Sequence, residues 1–137
     1  MQVQPYVFFN GRCEEAIEFY REALGAEVIM MMRFSDAPPD PNRSVPPDIA
    51  KRIMHATLAI GTSHVLMSDG DGSPYRHNGF SLSLAVDNVK FGERYFNALS
   101  HGGVVEMPFQ STFWAAGFGI VTDRFGINWM VNVMQQQ

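Results

Sequence analysis

Residues 19–28 read FYREALGAEV and residues 95–104 read YFNALSHGGV, and these two matching stretches decide the fold. Each places an aromatic pair and a leucine ahead of glycine, with a β-prone run following. Glycine at such a position is a common C-terminal stop of a helix. The stretches recur after about 75 residues, which is too long for a solenoid repeat. The sequence therefore predicts a duplicated half-domain in which each half carries a helix followed by strands.

The first half shows the pattern of one helix among four strands. Its helix has one apolar face, because five residues recur at spacings of three and four: Ala16, Ile17, Tyr20, Ala23 and Leu24. Short β-prone runs flank this helix and predict strands. The predicted elements are strands at residues 3–9, 26–34, 53–60 and 64–68 and a helix at residues 12–24.

A proline-rich segment, residues 35–51, interrupts the first half. Its prolines exclude a regular helix or a central strand, because proline lacks the backbone N–H donor. A loop of this length inside a small domain is either a functional lid or a mobile excursion. The sequence leaves both alternatives open.

The second half repeats this order after a turn-rich segment, residues 69–79, that predicts a linker. Asp87 or Asn88 can cap a helix that runs to about residue 101. The predicted strands are residues 80–86, 104–107, 117–122 and 127–133. We therefore expect a single α+β domain, residues 1–137, of paired βαβββ modules at residues 1–70 and 78–137. Two such modules can form curled mixed sheets with helices outside and a cavity inside.

Composition and charge exclude several classes of protein. The formal net charge is −4 and no basic run occurs, which argues against a nucleic-acid-binding surface. No apolar run is long enough to predict a membrane span. The single cysteine, Cys13, cannot form an intrachain disulfide, which fits a cytoplasmic protein. Cys13 is either a buried, inert thiol or a reactive one at the start of a helix.

Three predicted strands alternate between apolar and polar side chains, which point to opposite faces of a sheet. The apolar sets, expected to meet the helices, are Met54, Ala56 and Leu58; Phe80, Leu82 and Leu84; and Trp129, Val131 and Val133. The other set, expected to line a cavity and bind a ligand, is His55, Thr57, Ser81, Ser83, Asn128, Met130 and Asn132. The alternation equally suits a sheet with one face in water.

His55 is the candidate catalytic residue. A neutral imidazole can act as a base, a ligand or a hydrogen-bond anchor, and a structural histidine is the alternative. No spacing suggests a Ser-His-Asp triad or a nucleophile elbow. No phosphate loop or dinucleotide fingerprint occurs either.

An aromatic pair, Phe113 and Trp114, lies in a predicted loop. It can close over a ligand, or it can pack in a dimer interface or in the core. The turn at residues 123–126 is predicted to be structural, with Gly126 supplying its geometry.

Motifs along nearly the whole chain resemble one family. They are PYVFFNG at residues 5–11, HATLAIG at residues 55–61, LMSD at residues 66–69, TFW at residues 112–114 and DRFG at residues 123–126. Together they resemble the PhnB-like branch of the glyoxalase/bleomycin-resistance/dioxygenase (vicinal oxygen chelate) superfamily. That branch is also labelled 3-demethylubiquinone-9 3-methyltransferase-like, although nothing in the sequence resembles an S-adenosylmethionine site.

The resemblance implies positions for a divalent metal on the inner sheet face. Carried over residue by residue, they fall on Pro5, His55, Ser81 and Met130. Only His55 is a usual metal ligand. A shift by one residue offers no better set: Tyr6, Asn128 and Trp129. We therefore expect no cofactor and no catalytic metal, and by resemblance we expect a homodimer.

Three functions are consistent with this sequence. The first is a metal-free protein that binds an unidentified small molecule, akin to the drug-sequestering members of the superfamily. The second is a glyoxalase- or dioxygenase-like enzyme that uses His55 as a metal ligand or general base. The third is a dimeric scaffold without a small ligand.

Overall fold

The computed structural model describes residues 1–42 and 44–135, which divide into two units at residues 1–75 and 76–137. The first unit contains, in order, β1 (Tyr6–Phe8), α1 (Cys13–Leu24), β2 (Glu27–Arg33), a 3₁₀ turn (Phe34–Asp36), α2 (Pro47–Ala50), β3 (Ile53–Ile60) and β4 (Ser63–Ser68). The second contains β5 (Leu82–Val86), α3 (Val89–Ser100), β6 (Val104–Gln110), β7 (Ala115–Thr122) and β8 (Asn128–Met134). The predicted α+β class and paired βαβββ modules are confirmed.

Each unit has a four-stranded mixed sheet with the same connectivity. The strand orders are β1-β4-β3-β2 and β5-β8-β7-β6. In both sheets the first strand runs parallel to the last, and the remaining neighbours are antiparallel. β2 and β6 are therefore edge strands. Pro108 is tolerated within β6 because an edge strand need not donate every backbone N–H to a neighbour.

The two long helices begin and end as their sequences indicate. Gly25 follows α1 with φ of 67°, and its N–H donates to the carbonyl of Arg21 at 3.0 Å. That left-handed conformation is the one that favours glycine. At the start of α3, the Asn88 side chain accepts a hydrogen bond from the N–H of Phe91 at 2.9 Å. The alternative cap, Asp87, is not used.

Glycine allows α3, β6 and β7 to approach closely around one phenylalanine, Phe109. A Cβ at Gly119 would lie 2.7 Å from the Phe96 ring and 2.9 Å from the Phe109 Cα. A Cβ at Gly117 would overlap the Phe109 ring. The two glycines lie on the buried face of β7, with Val121. Their missing side chains therefore leave the space that Phe109 fills.

The proline-rich segment forms only short turns of helix. Residues 35–51, predicted to contain no regular helix or central strand, include the end of a 3₁₀ turn, Phe34–Asp36, and the single helical turn α2. Pro47 is compatible with α2 because it stands in the first turn, where the N–H has no intrahelical acceptor. Prolines therefore mark the start of this helical turn.

Four of the nine side chains predicted to meet a helix are not fully buried: Met54, Phe80, Leu82 and Leu84. Phe80 is 44% exposed, because β5 begins two residues later at Leu82. Met54 is half-buried, because the pairing of β3 with β2 shifts between Met32 and Arg33. A shift of one residue moves a side chain away from the face that strict alternation assigns to it.

The predicted linker also begins within the folded core. Asp69 is buried, and its carboxylate accepts hydrogen bonds from three backbone N–H groups. The carboxylate therefore fastens the start of the predicted linker, residues 69–79, to the first unit, and the boundary between the two units falls within that linker, after Tyr75.

Cys13 is fully buried at the start of α1. Burial raises the pKa of its thiol far above the ordinary value, and the charges of Asp69 and Glu14 raise it further. The thiol therefore stays protonated, which favours the inert alternative over the reactive one. Among the described residues, no helix is long and apolar enough to cross a membrane.

Candidate functional site

The sheet of the first unit has a buried face and a half-exposed face. Ala56 and Leu58 on β3, with Val65 and Met67 on β4, form the buried face. We call the other the first open face; its central side chains are Tyr6, His55, Thr57 and Leu66. The alternation predicted for His55 and Thr57 is therefore observed on β3.

His55 is held by hydroxyl groups at both ring nitrogens. Its Nδ1 lies 3.0 Å from the Tyr6 Oη, and its Nε2 lies 3.3 Å from the Thr57 Oγ1. The Tyr6 and His55 rings also contact each other, with centroids 5.6 Å apart. Two strands thus fix the position and orientation of one imidazole.

Each of the two hydroxyl groups can donate to His55 or accept from it, according to the tautomer of the imidazole. Burial raises the pKa of the Tyr6 hydroxyl, which outweighs the opposing effect of its hydrogen bond with Ser68. Tyr6 therefore keeps its proton and can act as a hydrogen-bond donor in this group.

Apolar side chains surround this polar group. Met30 pairs with Thr57 and Met32 with His55 across the β2–β3 ladder, which places both methionines beside the imidazole face. On β1, Phe8 stacks on Tyr75 with centroids 4.8 Å apart. Flexible methionines beside an aromatic group form a surface that adapts to apolar ligands.

The second unit has its own open face, which we call the second open face. It carries Ser81 and Ser83 beside β8, together with Asn128, Met130 and Asn132 of β8 and Phe118, Ile120 and Thr122 of β7. The alternating buried residues on the opposite face are Trp129, Val131 and Val133. The five residues of this half that strand alternation assigned to the site therefore lie on one face of one sheet.

A chain of hydrogen bonds crosses one end of the second open face. The Ser81 hydroxyl donates to the Asn128 Oδ1, and the Asn128 Nδ2 donates to the Thr122 Oγ1 at 3.1 Å. The Thr122 hydroxyl donates in turn to the Glu106 carboxylate, also at 3.1 Å. Each donor thus points toward the single charged group at the β6 edge.

Asn132 lies at the other end of β8. Its Oδ1 is buried and accepts no hydrogen bond from the described residues. Its Nδ2 makes only a weak contact, 3.8 Å long, with the Met134 sulfur. A buried carbonyl without a donor costs about 1–3 kcal/mol, so this oxygen is a candidate acceptor for a ligand.

The aromatic loop stands beside Asn132. Trp114 contacts Phe118 with ring centroids 5.5 Å apart, and Phe118 pairs with Asn132 in the β7–β8 ladder. Phe113 is 90% exposed and Trp114 49% exposed, so neither is a core residue of the second unit. A ligand contact and a dimer contact remain the two alternatives for this pair.

The two open faces divide the predicted site residues. His55 and Thr57 belong to the first unit, whereas Ser81, Ser83, Asn128, Met130 and Asn132 belong to the second. A cavity common to all seven stays a prediction. The hydrogen-bonding roles of Tyr6, Thr122 and Glu106 were not predicted from the sequence. For Tyr6 the missed signal was its place on the polar side of β1.

The positions that the resemblance assigns to a metal do not together form a ligand set for a divalent cation, because only His55 among them is a usual metal ligand. Pro5 has no donor atom, the Met130 thioether is a poor ligand for a hard cation, and Ser81 already donates to Asn128. No three His, Cys, Asp or Glu side chains among the described residues could hold a metal together. We therefore derive no step of chemistry through a metal.

Comparisons with known proteins agree on one family. Residues 2–131 match the family model described as Glyoxalase/Bleomycin resistance protein/Dioxygenase superfamily. YjdN of Escherichia coli K12 is 40% identical over 146 aligned positions, covering 100% of this chain and 98% of that protein.

Solved structures agree as well. The crystal structure of PA1353 from Pseudomonas aeruginosa has a TM-score of 0.86 and 45% identity, covering 99% of both chains. The PhnB protein of Bacillus cereus has a TM-score of 0.77 at 20% identity, covering 97% of this chain and 99% of that one, which shows the shared fold. On the match of the family model and the identity to YjdN, this chain belongs to the glyoxalase/bleomycin resistance protein/dioxygenase superfamily.

Proposed function

We propose that this protein binds a small organic molecule on the open faces of its sheets without a catalytic metal. The observation that supports this most is the environment of His55. Both ring nitrogens have hydroxyl partners, from Tyr6 and Thr57, so the imidazole is held in one orientation and the exposed Tyr6 hydroxyl is fixed beside it as a polar contact for a ligand. Neighbouring methionine side chains offer apolar contact. A few fixed polar groups on an apolar surface are typical of small-molecule sites.

An enzyme is the second candidate function, and one observation favours it. The Tyr6 Oη and the His55 Nδ1 lie 3.0 Å apart, which is within the reach needed to pass a proton between them. In that case His55 acts as a general base through its Nδ1, and Tyr6 carries the proton to or from the substrate. Turnover of a ligand, lost on replacing either residue, would distinguish this function from simple binding.

The metal-free proposal predicts that chelation leaves the protein unchanged. The purified protein should contain no stoichiometric divalent metal, and EDTA should not lower its melting temperature. Added Mn²⁺, Ni²⁺ or Zn²⁺ should not raise it, although a specific metal at 100 times its Kd would stabilise the fold by about 2.7 kcal/mol. The measurements are elemental analysis and differential scanning fluorimetry.

Variants at two histidines serve as the control for this test. His55→Ala should leave the metal content and the folding midpoint nearly unchanged, as should His64→Ala on the exposed part of β4. A stoichiometric metal that His55→Ala removes and His64→Ala retains would overturn the metal-free proposal.

We also propose a cytoplasmic homodimer. The edge strands β2 and β6 present apolar side chains, with Ile29 on β2 56% exposed and Val104 on β6 60% exposed. Exposed apolar edges are liabilities that association commonly covers, and small oligomers are most often twofold. The one cysteine is a buried thiol, which fits a reducing compartment.

Light scattering after size-exclusion chromatography tests this assembly. We expect a particle of twice the 15.4 kDa chain mass. The variant on the strand that forms the contact, Ile29→Lys on β2 or Val104→Lys on β6, should be monomeric, because a charge on an edge strand opposes pairing. A wild-type monomer at all concentrations tested would contradict the proposal.

A further inference from the structure

We infer that the second open face binds an elongated organic cation that carries a hydrogen-bond donor at its far end. This inference rests on the proposed small-molecule function and names the chemical class of the ligand. It is carried by the distribution of charge, hydrogen-bond acceptors and aromatic rings over the four strands of the second sheet.

Charge on this sheet has one sign. Strands β5 to β8 contain no lysine, arginine or histidine, and Glu106 is their single charged residue. The nearest basic side chain after β7, Arg124, donates to the carbonyl of His101 at 3.0 Å, which ties it to the end of α3. Lys90 and Arg94 lie on α3, which packs against the opposite face of the sheet. The four strands themselves therefore offer an anionic ligand no cation.

The carboxylate of Glu106 is oriented for a partner. Thr122 donates to its Oε1, and Thr122 is itself fixed by Asn128. The hydrogen-bond chain that begins at Ser81 thus ends at the Glu106 Oε1. The other oxygen of this carboxylate can accept a hydrogen bond from an ammonium or guanidinium group of a ligand. A charged hydrogen bond of this kind is stronger than a neutral one, so it can fix one end of the molecule.

The opposite end of the face accepts a donor. The Asn132 Oδ1 has no hydrogen-bond partner among the described residues, and its amide can turn by giving up only the weak contact to Met134. Met134 is 66% exposed and is easily displaced. Trp114 and Phe118 stand alongside with rings that can pack on a flat group at this end of the ligand.

Spacing sets the length of the ligand. Asn128, in the chain that ends at Glu106, lies four residues before Asn132 on the same strand, which corresponds to about 13 Å. Met130 stands between them and faces Ile120 across the ladder, so the middle of the face is apolar. The ligand that fits has a cationic end, a hydrocarbon middle and a hydroxyl or N–H group at the far end.

Calorimetry with three matched probes tests this inference on the intact chain. The first is a phenol joined through a five-carbon chain to a primary amine. The second replaces the amine with a carboxylate, and the third keeps the amine but lacks the phenol hydroxyl. We expect the amino phenol to bind most tightly, the amine without the hydroxyl more weakly, and the carboxylate weakest.

Variants assign each end of the probe. Glu106→Gln should weaken the amino phenol about tenfold and leave the carboxylate probe unchanged, whereas Glu93→Gln, an equal charge change on α3, should have no effect. Asn132→Leu should abolish the advantage of the hydroxyl. Its fold should be retained or stabilised, because it removes a buried acceptor that has no partner.

The outcomes separate this inference from the function it rests on. Equal binding of the amine and carboxylate probes, or equal loss in Glu106→Gln and Glu93→Gln, would overturn the cation specificity while small-molecule binding stands. Failure of all three probes to bind would overturn the inference, and failure of a wider set of neutral and anionic molecules would overturn the proposed function as well.

Discussion

Replacing Asp69 with asparagine is expected to cost about 3 kcal/mol of folding free energy, one of the two largest effects we anticipate. The carboxylate Oδ1 accepts from the N–H of Gly11 at 2.7 Å and of Cys13 at 2.9 Å, and its Oδ2 accepts from the N–H of Ile53 at 2.8 Å. These bonds join the end of β4 to the start of α1 and the start of β3. An amide has one oxygen, so Asp69→Asn leaves one buried donor facing an NH₂ group.

Urea unfolding followed by circular dichroism measures this effect. Asp71→Asn is the matched control, because Asp71 lies two residues away but is exposed and bonds only within its own turn, to Ser73 and Tyr75. We expect its midpoint to move little. Equal midpoints for the two variants would show that the buried carboxylate contributes no more than a surface one.

Periodicity predicted the elements of this fold well, because it follows directly from burial. The α1 face and the β3 strand at residues 53–60 lie where their patterns place them. Asp69 could not be identified in the same way. In the sequence it opens a run of glycine and aspartate typical of a solvated turn, and its three donors come from segments 16 to 58 residues away. Such distant pairings leave no local pattern.

Only part of the candidate site could be predicted, because periodicity gives the face of a strand on which a side chain lies but not its distant partners. Alternation on β3 and β8 assigned His55 and Asn132 to open faces, and the structure agrees within each unit. Alternation says nothing about which side chains bond to one another. The contact of Tyr6 with His55 joins residues 49 apart, and the unpaired state of the Asn132 oxygen depends on all of its neighbours.

Edge strands limited the prediction in another way. The pairings of β2 and β6 contain register shifts, near Met30 and Met107. A bulge places two residues of one strand opposite one of its neighbour and interrupts strict alternation. No β2 or β6 residue was therefore predicted to lie on an open face, although Glu106 lies at the bulge of β6 and ends the hydrogen-bond chain there.

Replacing Gly119 with alanine is the second change expected to have a large effect, about 3 kcal/mol of destabilisation. The new methyl group would lie 2.9 Å from the Phe109 Cα, so the backbone of β6 must move away from β7. In Gly117→Ala the new methyl group would strike only the ring of Phe109, and a smaller side chain at position 109 can remove that overlap. We expect it to cost about 2 kcal/mol by the same overpacking.

A double-mutant cycle distinguishes backbone overlap from side-chain overlap. Phe109→Leu removes the ring that Gly117→Ala would strike, so the Gly117→Ala, Phe109→Leu double variant should recover much of the stability lost by Gly117→Ala. Phe109→Leu should not rescue Gly119→Ala in the same way, since the conflicting Cα remains. Unfolding free energies of the five variants give both coupling terms. Equal rescue at both positions would show that β6 yields as easily as a ring, and the close approach of β6 to β7 would then not depend on glycine.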